Sequence, residues 1–196
     1  MFNDRYGLAR AVLNGRKTMT RRIVPDMYVP LIESGHLEAA LTEAQRHGDA
    51  YRIGEIVAVA QAYKNVFHPL DWVNKELYGE EKGWNNKMFV RADLMPNQIK
   101  MTGVRIEKLQ AISNDDVYKE GFTLEAISNN WGNAAWHWEA VLVYYDRLGC
   151  TRTIQDRDPR EAFAALINKR GVGRPGLWEL NPWVFAYEYI LLRQGE

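Results

Sequence analysis

Residues 182–192, PWVFAYEYILL, alternate with a period of two. Trp183, Phe185, Tyr187, Tyr189 and Leu191 fall on one side. Val184, Ala186, Glu188 and Ile190 fall on the other. This period, with its aromatic and β-branched residues, predicts a β-strand, the last of the chain. Glu188 reads as a buried partner for an arginine. Whatever precedes this segment has to supply the strands that pair with it and the layers that cover it.

The earlier elements do not follow a regular strand–helix alternation. RYGLARAVLNG (5–15) predicts a short helix, with Leu8, Ala11 and Val12 at helical spacing and Gly15 just past its end. TMTRRIV (18–24) predicts a strand that Pro25 terminates, and 33–50 predicts helix. YRIGEIVAVAQAY (51–63) reads as a strand, with a turn at Gly54 and an apolar run from Ile56 to Ala60. Strands are also predicted over 87–93 and 100–112. In the second, Val104, Ile106 and the stem of Lys108 share one side and Arg105, Glu107 and Leu109 the other.

SNDDVYKEGF (113–122) opens as a capped helix, Ser113 at the cap with Asp116 three residues on, and Gly121 ends it. Residues 131–148 are apolar and aromatic at helical spacing. Within 157–171, Asp158 caps a helix, Pro159 takes its first position, Glu161 completes a capping box and Gly171 stops it. The order helix, strand, strands, helices, strand is not the regular alternation of a parallel doubly wound sheet. It predicts an α+β fold, a mixed or antiparallel β-barrel with flanking helices. A chain of 196 residues fits a single domain over 1–196. The irregular aromatic segment 64–86 is too long for a simple connector.

Charge and cysteine content narrow the partners. Lys plus Arg is 25 and Asp plus Glu is 25, so bulk electrostatic coating of duplex DNA is not expected. A local basic pocket is compatible with that balance. Cys150 stands alone, and His36, His47, His68 and His137 are scattered, so no metal site is expected. No signal-peptide pattern and no long apolar run occurs, so the expectation is a cytoplasmic protein with no membrane partner. Trp72, Trp84, Trp131 and Trp136 offer two roles, stacking unpaired bases or filling a satellite core.

The chemistry concentrates in NGRKTMTRRI (14–23), which places Arg16, Lys17, Arg21 and Arg22 around Thr18 and Thr20. It is not a phosphate-binding P-loop, because the first glycine is missing and the second follows a helix. Two readings stand. The cations form a solvated strand edge that blocks aggregation, or they line an anion or nucleotide pocket, where the hydroxyls add short-range hydrogen bonds.

GRKTMTRR resembles the signature of the ASCH family, whose PUA-like fold is related to RNA-binding domains. The resemblance extends in order to YRIGEIVAV, to the acidic helix ISNDDVYKEGF, and to the closing strand NPWVFAYEYILL. It covers roughly 1–24, 51–63, 87–122 and 159–192. Residues 64–86 and 123–158 are insertions by this comparison, as in the longer ASCH proteins of phages and bacterial mobile elements. The resemblance implies a PUA-like barrel with a cleft between the basic motif and the acidic helix. It implies a nucleotide, modified nucleoside or single-stranded RNA as ligand, with no cofactor. Some small members hydrolyse acetylated cytidine nucleosides. Carried over by motif position, their catalytic set falls on Lys17, Thr20 and Glu120. Arg16, Thr18, Arg21 and Arg22 become ligand-binding residues.

The chemistry has an internal tension. A threonine hydroxyl needs a base, and Lys17 serves only if its pKa falls from about 10.4 toward 7–8. Neighbouring arginines and desolvation push it down, whereas a close Glu120 pushes it up. Three alternatives stand beside hydrolysis: a non-catalytic RNA-binding module, a protein-interaction domain of a mobile element using its aromatic insertions, and RNA cleavage.

Overall fold

The structure is a computed structural model that describes residues 6–66, 82–128, 136–145, 149–170 and 176–193. The elements run α1 (Leu8–Leu13), β1 (Met19–Ile23), α2 (Val29–Glu33), α3 (Leu37–His47), β2 (Ile56–Ala58), β3 (Asn97–Lys108), α4 (Asn114–Lys119), β4 (Thr123–Ser128), β5 (Trp136–Tyr145), β6 (Thr151–Asp156), α5 (Pro159–Arg170), α6 (Leu177–Leu180) and β7 (Trp183–Arg193). The fold is α+β.

The closing strand organises the first sheet, whose order is β1-β7-β3-β2 with every pair antiparallel. Successive side chains of β7 point to opposite faces, and each face meets its own core. Phe185, Tyr187 and Tyr189 pack with Val12, Tyr28, Ile32 and the small residues Ala40 and Ala44. Val184 packs on the other side with Leu142, Phe163 and Leu166. Burying each such side chain contributes roughly 1.5–3 kcal/mol, so both layers hold the sheet. A register shift between Met101 and Gly103 bulges β3 opposite β7.

The second sheet, β4-β5-β6, is also antiparallel and lies entirely within 123–158. Of the helix expected over 131–148, the described residues 136–145 form strand β5, and the rest lie outside the described residues. A run this rich in apolar residues satisfies both periods, and pairing decides. Leu142 and Tyr144 turn into the core while Val143 and Tyr145 are exposed, a period of two. β4 pairs with Trp136–Val141 and β6 with Ala140–Tyr145, so every residue of β5 has a ladder partner. Among the described residues no ladder joins the two sheets. Among the described residues the strands form two antiparallel sheets that meet through a shared core, and no closed barrel forms.

Two further strands come out differently. Residues 87–93 form 3-10 turns at Lys87–Phe89 and Ala92–Leu94, because the Asn86 side chain accepts the Met88 N–H and starts a turn. Of 51–63 only Ile56–Ala58 pairs in the sheet, since Gly54, at φ 86°, turns the chain just before it. The expected strand at 100–112 begins earlier, at Asn97, and ends at Lys108. Trp72, Trp131 and Gly171 lie outside the described residues, and Trp84 is half-buried. Among the described residues no helix is long and apolar enough to cross a membrane.

Candidate functional site

Backbone geometry brings the basic motif to the acidic helix. The chain leaves α1 through Gly15, at φ 71°, a left-handed conformation that glycine adopts without steric cost. The N–H groups of Arg16 and Lys17 both donate to Ala11 O, at 2.9 and 3.0 Å. Thr18 N–H then donates to Lys119 O at 2.9 Å, which ties the motif to the end of α4. Helix α4 starts where Ser113 Oγ accepts the Asp116 N–H at 3.2 Å. It ends at Glu120, followed by Gly121 at φ 112°.

Lys17 turns inward and is 2% exposed. Its Nζ donates to the Glu120 backbone oxygen at 3.0 Å and forms an ion pair with Glu120 Oε2. The other carboxylate oxygen, Oε1, accepts from Arg21 Nη1 at 3.0 Å. Arg21 also donates to Glu107 Oε1 from Nε (3.0 Å) and Nη2 (2.7 Å), and to Asp116 Oδ2 at 2.9 Å. Arg105 reaches Glu107 Oε2 at 2.8 Å, Asp116 Oδ2, and Glu188 Oε1 at 3.4 Å. Lys119 completes the group, 3.4 Å from Glu188 Oε1.

The sheet explains this convergence. Ala186 of β7 lies between Arg21 of β1 and Arg105 of β3 in one cross-strand row. Directly opposed residues share a face, so both guanidinium groups rise over the small Ala186 toward Asp116 on α4. Glu107, two residues beyond Arg105, shares that face. Four cations, Lys17, Arg21, Arg105 and Lys119, thus meet four carboxylates, Glu107, Asp116, Glu120 and Glu188. The side chains of Lys17, Arg21, Asp116 and Glu120 are buried and that of Glu107 nearly so; desolvation there costs several kcal/mol per charge and pairing offsets it, whereas Arg105, Lys119 and Glu188 form the half-exposed rim. Burial opposes the charge on Arg105, but Glu107, Asp116 and Glu188 outweigh it and raise its pKa. Burial, reinforced by the charge of Glu120, raises Tyr189 well above the ordinary tyrosine range.

The remaining motif residues go elsewhere. Thr20 stands opposite Tyr187 and Arg22 opposite Phe185, so the pleat sends both to the face away from Arg21. The Arg22 guanidinium lies 4.7 Å from the centre of the Tyr51 ring, a cation–π contact. Thr18 is half-buried and its carbonyl accepts the Tyr189 N–H at 2.9 Å. Arg16 is exposed. The structure therefore joins Lys17, Arg21 and Glu120 and separates them from Thr20, Arg22 and Arg16. Arg21, grouped with the ligand-binding cations by sequence, spends its donors on protein carboxylates.

Sequence reasoning passed over Glu107, Asp116 and Arg105 as site residues. Arg105 and Glu107 carried a signal in their shared strand side, and Asp116 was hidden behind its position in the helix cap. A hollow of about 250 Å³ opens onto Arg21, lined otherwise by Ile23, Leu109, Ile167, Leu177 and Val184. Among the described residues no three His, Cys, Asp or Glu side chains form a metal-binding group. Comparison with protein-family models, curated proteins and solved structures returned no match.

Proposed function

We propose that this chain is an ASCH-type, PUA-like protein that binds a nucleoside, nucleotide or single-stranded RNA beside the Lys17–Glu120 pair. We further propose that it hydrolyses the amide of an acylated nucleobase there. One observation carries the reading. A lysine from the basic motif and a glutamate 103 residues later form a buried pair at the junction of two elements. Oppositely charged groups buried together are candidates for a functional site.

The reaction balances as amide plus water giving carboxylic acid plus amine. In this reading Glu120 takes a proton from the attacking water and returns it to the leaving nitrogen as the C–N bond breaks. Lys17 and Arg21 hold the carboxylate in place and supply positive charge toward the developing oxyanion. Thr20 lies on the opposite sheet face from Arg21, so water, not the threonine hydroxyl, is the nucleophile. The apolar hollow over Arg21 offers a flat ring an approach to this end of the network.

A second reading, binding without chemistry, draws on the same carboxylate. Both Glu120 oxygens are engaged, one by Lys17 and one by Arg21, as in a structural ion pair. Turnover of N4-acetylcytidine separates the two. Hydrolysis by the wild type that falls about 10²-fold or more in Glu120→Gln, with Thr20→Ala near wild type, supports catalysis. Saturable binding of the nucleoside or of a short single-stranded RNA without turnover supports the second reading. Absence of both turnover and binding removes the proposal.

A further inference from the structure

Lys17 and Arg16 are neighbours, but one is buried in the charged network and the other stands in solvent. Arg16 lines a separate hollow of about 300 Å³ between α1 and β5, together with Gly7, Arg10, Asn14, Val143 and Tyr145. That volume lies at the lower end of the range for small-ligand sites.

Three features give this hollow a chemistry. First, Arg10 and Arg16 both line it, and among the described residues neither has a carboxylate partner. This contrasts with the network, where every cation is matched. Second, the positive charge is not there to cap the helix. The carbonyls of Arg10, Ala11 and Val12 already accept backbone N–H bonds from Asn14, Arg16, Lys17 and Gly15. The end of α1 is closed by its own return turn. Third, Tyr145 lines the hollow and is 60% exposed. An exposed tyrosine that lines the same hollow as two arginines supplies a flat ring in a cationic setting.

We infer that this hollow is a binding site for a nucleoside 5′-monophosphate. Arg10 and Arg16 clamp the phosphate, Asn14 hydrogen-bonds to it or to the sugar, and the base stacks on Tyr145. Guanidinium forks match phosphate oxygens in pairs, and aromatic side chains hold bases by stacking without demanding one sequence. The site is distinct from the Lys17–Glu120 pair and does not depend on the reaction proposed there.

Calorimetric titration with adenosine and cytidine 5′-monophosphates tests it, with the matching nucleosides and inorganic phosphate as controls. Saturable one-to-one binding of a monophosphate is expected, with nucleoside and phosphate each about tenfold weaker or more. Arg10→Gln and Arg16→Gln are each expected to weaken the monophosphate about tenfold. Tyr145→Ala should weaken the nucleotide and leave inorganic phosphate unchanged. Glu120→Gln, which addresses the other site, should leave all of these affinities alone. Both arginines and Tyr145 are exposed, so the variants should fold, and wild-type NMR shifts at Arg10, Asn14 and Tyr145 provide an independent readout. Absence of saturable binding by either monophosphate overturns the inference. Equal affinity in wild type and Arg10→Gln/Arg16→Gln overturns it as well. Loss of acetylcytidine turnover with nucleotide binding intact would sink only the reaction.

Discussion

Arg21 and Arg22 carry the same charge on adjacent residues, and the pleat of β1 gives them different surroundings. Arg21 bonds three carboxylates and its side chain is 3% exposed. Arg22 is exposed and rests on Tyr51. Removing one member of a buried charged group leaves its partners uncompensated, so Arg21→Met is expected to cost about 3–5 kcal/mol. Arg22→Ala loses only an exposed cation–π contact and is expected to cost about 0.5–1 kcal/mol. Urea denaturation of both variants checks this, and equal losses would show that the network contributes no specific stability. Tyr28 makes a second prediction. Its hydroxyl donates to Asp49 Oδ2 at 2.6 Å, and that bond, ahead of burial and the charge of Asp49, pushes its pKa up to about 12. The folded protein holds this proton more tightly than the unfolded chain. The contribution is therefore complete below pH ~10 and lost as pH rises through about 12. Tyr187, raised to about 12 chiefly by burial, acts in the same window. Between about pH 9 and about pH 11.5, Tyr28→Phe should lose less stability than wild type. An identical loss in both would remove Tyr28 from the alkaline transition.

Helix α4 is short, six residues from Asn114 to Lys119, yet Asp116 and the flanking Glu120 hold three cations between them. A helix this short is not stable by propensity alone, so its ends matter. Ser113→Ala removes the Oγ bond to the Asp116 N–H and is expected to cost about 1 kcal/mol. Gly121 is a sharper constraint. Its φ of 112° is one that side chains rarely adopt, and an added Cβ would sit 3.5 Å from both Ala11 Cβ and Lys17 Cβ. Gly121→Ala is therefore expected to cost about 1–3 kcal/mol through backbone strain. Thermal melts measure both, and a neutral Gly121→Ala would mean the joint between α4 and β4 relaxes freely. The capped start of α4 was legible in the sequence, because Ser followed by an acid three residues on is a local signal. Strand β5 was not, since its apolar run fits helix and strand periods alike and only β4 and β6 on either side resolve it. The 87–93 segment failed for a different reason, the turn that the Asn86 side chain imposes.

Two cores lie on opposite faces of one four-stranded sheet, and β7 contributes to both. Damage on one face should therefore be felt across the sheet. Phe163→Ala, in the core shared with the second sheet, is expected to cost about 3–5 kcal/mol. Amide exchange in β7 should accelerate in that variant even at Tyr187 and Tyr189, whose side chains face the other core. Acceleration confined to α5 and β5 would mean that the layers unfold independently. Some of this architecture follows from residue order. Alternation in 182–192, the caps and the glycine stops are consequences of local backbone geometry, and the α+β class follows from them. The grouping of Lys17 with Glu120 came from motif order through a family resemblance, and the two do meet in the structure. The division of the cations is another matter. Arg16 goes to solvent, Lys17 and Arg21 to the network, and Arg22 to the opposite face. Strand register and the crossing of α4 over the sheet impose that division. Those are long-range pairings between segments about a hundred residues apart, and no local pattern encodes which face of a strand a distant helix will cover.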